Sequence, residues 1–123
     1  MIFKKPKEEL KAFIRARYPL VYIVSHEEAR VEIVLSDIAH ELNKRILTWT
    51  ITSGLTDQHG RPLEESKEPV MALNLLMREA EEPTLFLFKD FHSFFGHPVV
   101  TRKVREVVQF LQPTLSSLIM LST

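Results

Sequence analysis

Residues 18–30 read YPLVYIVSHEEAR. A run of apolar and β-branched residues, Leu20–Val24, ends at Ser25 and passes directly into a helical pattern. A strand that turns into a helix in this way is the unit of a parallel α/β sheet, and in many such proteins the junction holds a phosphate. Here the junction carries His26, Glu27 and Glu28, and it contains no glycine. Ser25-His26-Glu27-Glu28 fits the S-x-x-E capping box, in which Ser25 accepts from a first-turn amide and Glu28 reaches back to the amide of Ser25. Both glutamates complement the positive end of the helix dipole, the place a phosphate would otherwise take. A polyphosphate brought to this turn meets like charge and amides already engaged.

The rest of the chain repeats the unit. Leu10, Phe13, Ile14 and Arg17 fall at helical spacing, and Pro19 stops that first helix. After the strand Leu20–Val24, whose apolar run suits burial on both faces, Val31, Val34, Leu35, Ile38 and Leu42 predict an amphipathic helix from His26 to Asn43. Asn43 suits a left-handed stop. RILTWTIT, residues 45–52, is rich in β-branched residues and predicts a second strand. Residues 53–68 are polar, with two glycines and a proline, and read as a long surface loop. Pro69 suits the start of a third helix running to about residue 81. TLFLF, residues 84–88, predicts a third buried strand, and 90–97 an aromatic loop. Residues 98–111 predict a helix ended by Pro113, and 115–121 a last strand. Strands alternating with helices of this length predict an α/β fold with a parallel sheet and right-handed crossovers.

Composition narrows the function. A chain of 123 residues is one domain. Hydrophobic content is 45% and charged content 26%, ordinary for a soluble globular protein. Lys plus Arg equals Asp plus Glu, 16 each, so no global field favours nucleic acid or an acidic membrane. A small basic cluster, Lys4, Lys5 and Lys7, is followed at once by Glu8 and Glu9 and reads as a solvated helix start. Cysteine is absent, which excludes disulfides and thiolate chemistry. No apolar run approaches the roughly 20 residues that span a bilayer, and no signal-peptide core is present, so a cytoplasmic or stromal domain is expected.

Motif by motif, catalytic chemistry is hard to place. A P-loop needs G-x-x-x-x-G-K-[ST], so that backbone amides wrap the phosphates and the lysine neutralises them. Gly54, Gly60 and Gly96, the three glycines, match neither this pattern nor the dinucleotide fingerprint. PTLFLFKDF resembles a Walker B strand, with Asp90 in the magnesium position, but Phe91 stands where the water-orienting glutamate belongs. Asp90, His92 and His97 lie on one loop at a spacing that fits no metal site, and no nucleophile, base and acid fall on matching strand ends. Phe91, Phe94 and Phe95, at the ligand-facing edge, either cover the sheet or offer an aromatic contact surface for another domain.

Taken in order, ELKAFIRARYPLVYIVSHEEARVE, the tryptophan strand RILTWTIT, PTLFLFKDFHSFF and the closing SSLIMLST resemble the N-terminal region of the AAA-type ATPases of cyanobacteria and algal plastids, a family known first as a conserved plastid reading frame. The resemblance covers essentially the whole chain. It implies a three-layer, RecA-like P-loop fold that is degenerate and lacks the P-loop, with about four strands in the order 1-4-3-2. It implies that residues 1–123 form a single N-terminal domain of a longer ATPase, in the cytoplasm or the plastid stroma. ATP and magnesium then belong to a downstream domain, and this chain holds no cofactor, no metal and no catalytic residue. Its role is interdomain packing, assembly or recruitment, and its partner the remainder of the parent ATPase or another protein. A standalone α/β adaptor and, more remotely, a nucleotide-binding NTPase are the alternatives. Because the fifth strand that normally flanks the first is missing from the pattern, the first strand's edge is also expected to drive self-association.

Overall fold

The computed structural model describes residues 7–123, so Lys4 and Lys5 of the basic cluster lie outside the described residues. The elements follow in the order α1 (Lys7–Arg15), β1 (Leu20–Val24), α2 (Glu28–Glu41), β2 (Arg45–Thr50), β3 (Gly54–Thr56), α3 (Pro69–Glu79), β4 (Thr84–Lys89), a 3-10 turn (Phe91–Phe94), α4 (Pro98–Leu111) and β5 (Ser117–Ser122). They build one five-stranded sheet in the order β1-β5-β4-β2-β3, parallel throughout except for the β2–β3 pair. The four parallel strands take the 1-4-3-2 arrangement that the resemblance implies, with β5 as the fourth. The sheet differs from that expectation by the antiparallel strand β3 at its far side.

Helix boundaries follow local chemistry. α1 stops where Arg17 adopts a left-handed φ of 64°, two residues before Pro19. α2 ends in a Schellman motif: Asn43 takes φ 58°, its N–H donates to the carbonyl of His40 at 3.2 Å, and Lys44 N–H donates to Ala39 at 2.8 Å. α3 and α4 both open on proline, and the carboxylate of Glu68 accepts from the amide of Val70 at 2.7 Å.

Helices cover both faces, which explains the unbroken apolar runs of β4 and β5. On one face Leu10, Ile14, Val31, Leu35 and Ile38 of α1 and α2 bury Ile23, Leu87 and Ile119. On the other, Leu73, Leu76, Val107 and Leu111 of α3 and α4 bury Trp49, Phe86, Phe88 and Met120. β1 departs from the expectation of burial on both faces. Val21 and Ile23 are buried, Leu20 and Tyr22 are half-buried, and Val24 is exposed, because β1 ends the order and the second pair of helices lies over the middle of the sheet.

Residues 53–68 are not the free surface loop that their polarity predicts. The chain reverses after Thr50, whose hydroxyl accepts from Ser53 N–H at 3.1 Å, and Gly54 enters β3 with φ +71°. The returning segment then covers the outer side of β3. Leu63 N–H donates to Leu55 at 3.0 Å, and the buried Ser66 hydroxyl accepts from Leu55 N–H at 2.8 Å. Trp49 Nε1 donates to the carbonyl of Ser66 at 2.7 Å, so the backbone of this segment caps the indole. A Cβ at Gly54 would stand 2.9 Å from Ser66 Oγ, which is a second reason for glycine there besides its positive φ. Among the described residues, no helix is long and apolar enough to cross a membrane.

Candidate functional site

In open α/β sheets ligands bind beyond the carboxyl ends of the strands. At that end, Ser25 continues β1 by donating its N–H to the carbonyl of Ser122 at 2.8 Å, and Tyr22 and Ser122 hydroxyls meet at 3.3 Å. Because Ser25 is still held by β5, the helix cannot begin there. It begins at Glu28, and the capping box expected of Ser25 and Glu28 does not form. Ser25 Oγ instead accepts from Glu27 N–H at 3.0 Å, a local turn ahead of the helix, and Glu27, the residue at the cap, makes no side-chain cap bond.

Glu28 turns the other way, towards the sheet. Lys89, at the end of β4, places its ammonium 2.7 Å from Glu32 and 3.1 Å from Glu28. Those carboxylates sit one turn apart on α2 and would repel each other without a cation. The Lys89 side chain is only 14% exposed. Burial alone disfavours its charge, but the hydrogen bonds to Glu32 and Glu28 outweigh that penalty and hold its pKa above the ordinary lysine value. The end of β4 and the first turns of α2 are therefore joined by an ion cluster in which the only cation is already held by two carboxylates. None of the three glycines is near it in sequence: Gly54 opens β3, Gly60 lies in the turn after it, and Gly96 precedes α4.

Asp90, the Walker-B-like residue, follows Lys89 in a left-handed conformation with φ 58°. Its N–H donates to the carbonyl of Leu121 at 2.8 Å, and its side chain makes no cap bond to the 3-10 turn. It is exposed, and among the described residues no three His, Asp or Glu side chains are grouped as metal ligands would be.

The aromatic loop divides. Phe91 is 1% exposed and packs edge-on to Trp49 at 5.2 Å and to Phe88 at 5.5 Å, so it belongs to the core and not to a contact surface. Phe94 is half-buried against the same tryptophan, at 6.1 Å. Phe95 alone is exposed, at 38%, and its carbonyl accepts from the Thr101 hydroxyl at 2.8 Å, which fixes it beside the start of α4. Val99, in the first turn of α4, is 57% exposed. The site residue that sequence reading missed is Lys89. Its signal was the i,i+4 pair Glu28 and Glu32, two acids on a helix whose inner face meets the strand that ends in a lysine.

Residues 6–123 match the family model described as the N-terminal domain of SpoVK-like AAA ATPases. The chain is 36% identical over 110 residues to the AAA domain-containing protein ycf46 of Trieres chinensis, covering 88% of this chain and 22% of that protein. It is 30% identical over 124 residues to the ycf46 protein of Guillardia theta, covering 99% and 24%. For the ycf46 protein of Pyropia yezoensis the identity is 28% over 120 residues, covering 94% and 24%. The chain thus spans less than a quarter of the length of these curated relatives. No solved structure matches it.

Proposed function

We propose, from the premise that this chain belongs to the family of N-terminal domains of SpoVK-like AAA ATPases, that it is a non-catalytic packing and assembly domain. ATP and magnesium are handled by another part of the parent ATPase, in the cytoplasm or the plastid stroma. The observation that carries this reading is the ion cluster of Lys89, Glu28 and Glu32 at the β1–α2 junction. A phosphate grip needs a glycine-lined ring of free amides and an unpaired cation. This junction offers two carboxylates, a lysine already bound to both, and no glycine. Asp90 adds one acid without the second that would orient an attacking water.

The surface for packing is the exposed corner of Phe95 and Val99, next to the carboxyl edge of the sheet. Its partner is the rest of the parent ATPase, and in isolation the same corner supports self-association of the domain. Calorimetric titration of the domain with Mg-ATP should give no micromolar binding, and an affinity in that range would overturn the non-catalytic reading. In light scattering the domain should exceed its 14.3 kDa monomer mass, and Phe95→Ser with Val99→Ser should restore the monomer. Association unchanged by those two substitutions would remove this corner from the interface.

A further inference from the structure

The two faces of the β2–β3 pair are covered unequally. On the α3 side Trp49 and Leu55 are fully buried. On the α2 side the same strands present Thr48, Thr50 and Thr56, all half-buried, and α2 stops short of covering them. A cleft of about 320 Å³ lies there, between Glu32 and Ser36 on α2 and the turn at Asp57–Gly60, with Lys89 contributing to its lining. We propose that this cleft binds a small, neutral, polyhydroxylated molecule of monosaccharide or polyol size. The inference is independent of the packing role argued above.

Shape and rigidity come first. Both walls are built before any ligand arrives. Asp57 Oδ1 accepts from the amides of His59 at 2.8 Å and Arg61 at 3.0 Å, and the Asp57 amide donates back to Arg61 at 2.9 Å. The hydrogen bond from Arg61, then that from His59, hold the Asp57 carboxyl below its ordinary pKa in spite of partial burial, so the turn is ionised and fixed at neutral pH. The cleft volume falls at the low end of the roughly 300–1,000 Å³ seen for small-molecule sites, which limits the occupant to a small one.

Charge and polarity select the class. Each ion at the rim already has its partners: Lys89 has Glu32 and Glu28, and Asp57 has Arg61 at 3.7 Å. These five groups sum to −1, so an anion meets net repulsion, and a cation would have to compete with Lys89 and Arg61 for carboxylates they already hold. An apolar ligand would strip water from a floor of threonine hydroxyls without replacing its hydrogen bonds. A polyol replaces them by donating to the hydroxyl oxygens of Thr48 and Thr56 and to Glu32 and by accepting from Thr48, since the Thr56 proton is already given to the Thr48 carbonyl and Thr50 is held by Ser53 and Thr52. The threonine methyls and the side chains of Ile46 and Leu87 in the same lining give its C–H face an apolar rest. A wet, shallow site of this kind implies about millimolar affinity.

The test is an amide-resolved NMR titration of the intact chain with D-glucose and with sorbitol, with sodium phosphate and arginine hydrochloride as charged probes. Saturable shifts confined to Ser36, Thr48, Thr50, Thr56 and Gln58, stronger for the neutral probes, are the expected result. Thr48→Val with Thr50→Val should lower the affinity about tenfold or more. Gln58→Ala, in the exposed turn, provides a second variant that does not touch the sheet and should weaken binding too. Shifts that never saturate, shifts scattered over the surface, a stronger response to phosphate or arginine at the same amides, or full affinity in both variants would each overturn the proposal.

Discussion

Replacing Lys89 by methionine keeps the aliphatic stem and removes the ammonium that joins β4 to the first turns of α2. Exposed ion pairs contribute about 0.2–1 kcal/mol, and breaking a fully buried one costs about 3–5 kcal/mol. Lys89 lies between these limits: its own side chain is 14% exposed, whereas Glu32 and Glu28 are 37% and 45% exposed and can rehydrate. Two such pairs are together worth about 1.5 kcal/mol, and the uncompensated i,i+4 repulsion of Glu28 and Glu32 adds about 0.3–0.5 kcal/mol. The expected destabilisation is therefore about 2 kcal/mol. For a domain of this size that lowers the midpoint of thermal unfolding by roughly 8 °C. Urea unfolding at neutral pH measures it directly, and a double-mutant cycle with Glu32→Gln should return a coupling of about 1 kcal/mol. Because the raised pKa of Lys89 keeps the ammonium charged well past neutrality, the contribution should persist through neutral pH and fade only as the solution passes above the ordinary lysine value. Destabilisation below about 0.5 kcal/mol, or strict additivity with Glu32→Gln, would refute the view that this cluster organises the carboxyl edge.

Trp49→Phe should destabilise by about 2–3 kcal/mol in urea unfolding, since it empties part of a fully buried site and orphans the Ser66 carbonyl. Gly54→Ala should cost about 1–2 kcal/mol from its positive φ. Displacing the Ser66 hydroxyl, which accepts from Leu55 N–H, should add to that loss. Glu41, bonded to Lys7 and then to Lys11, has its carboxyl held at about 2 against an ordinary 4.5. The folded state binds this proton less tightly than the unfolded chain, so the tether between α1 and α2 is complete above the ordinary value and is lost as pH falls towards 2. Protection factors at Leu10 and Ile14, with the intrinsic pH dependence of amide exchange divided out, should fall over that window and hold steady between pH 5 and 7.

The fold was legible because its signals are redundant. Leu20–Val24 and 98–111 carry apolar patterns that only one element satisfies, and their ends match the structure to the residue. β3 was not legible, because three residues, Gly54, Leu55 and Thr56, sit inside a polar tract and owe their strand conformation to β2 and to Ser66. The capping box at Ser25 failed for a non-local reason: a sequence motif cannot register that Ser122 already holds the Ser25 amide. Lys89 and Phe91 share that difficulty. Each has its role fixed by residues more than 35 positions away, Glu28 and Glu32 for one and Trp49 for the other.

The latch over Trp49 has a spectroscopic consequence. This is the single tryptophan of the chain, and its indole N–H is spent on the carbonyl of Ser66, in the segment that shields β3. Intrinsic fluorescence excited in the indole band therefore watches one small region and not the molecule as a whole. Lifting residues 62–66 away from the sheet would admit water to the ring and shift its emission to longer wavelength while both helical layers stayed in place. A fluorescence transition that precedes the loss of helical circular dichroism would then time the opening of this flank, with no label introduced.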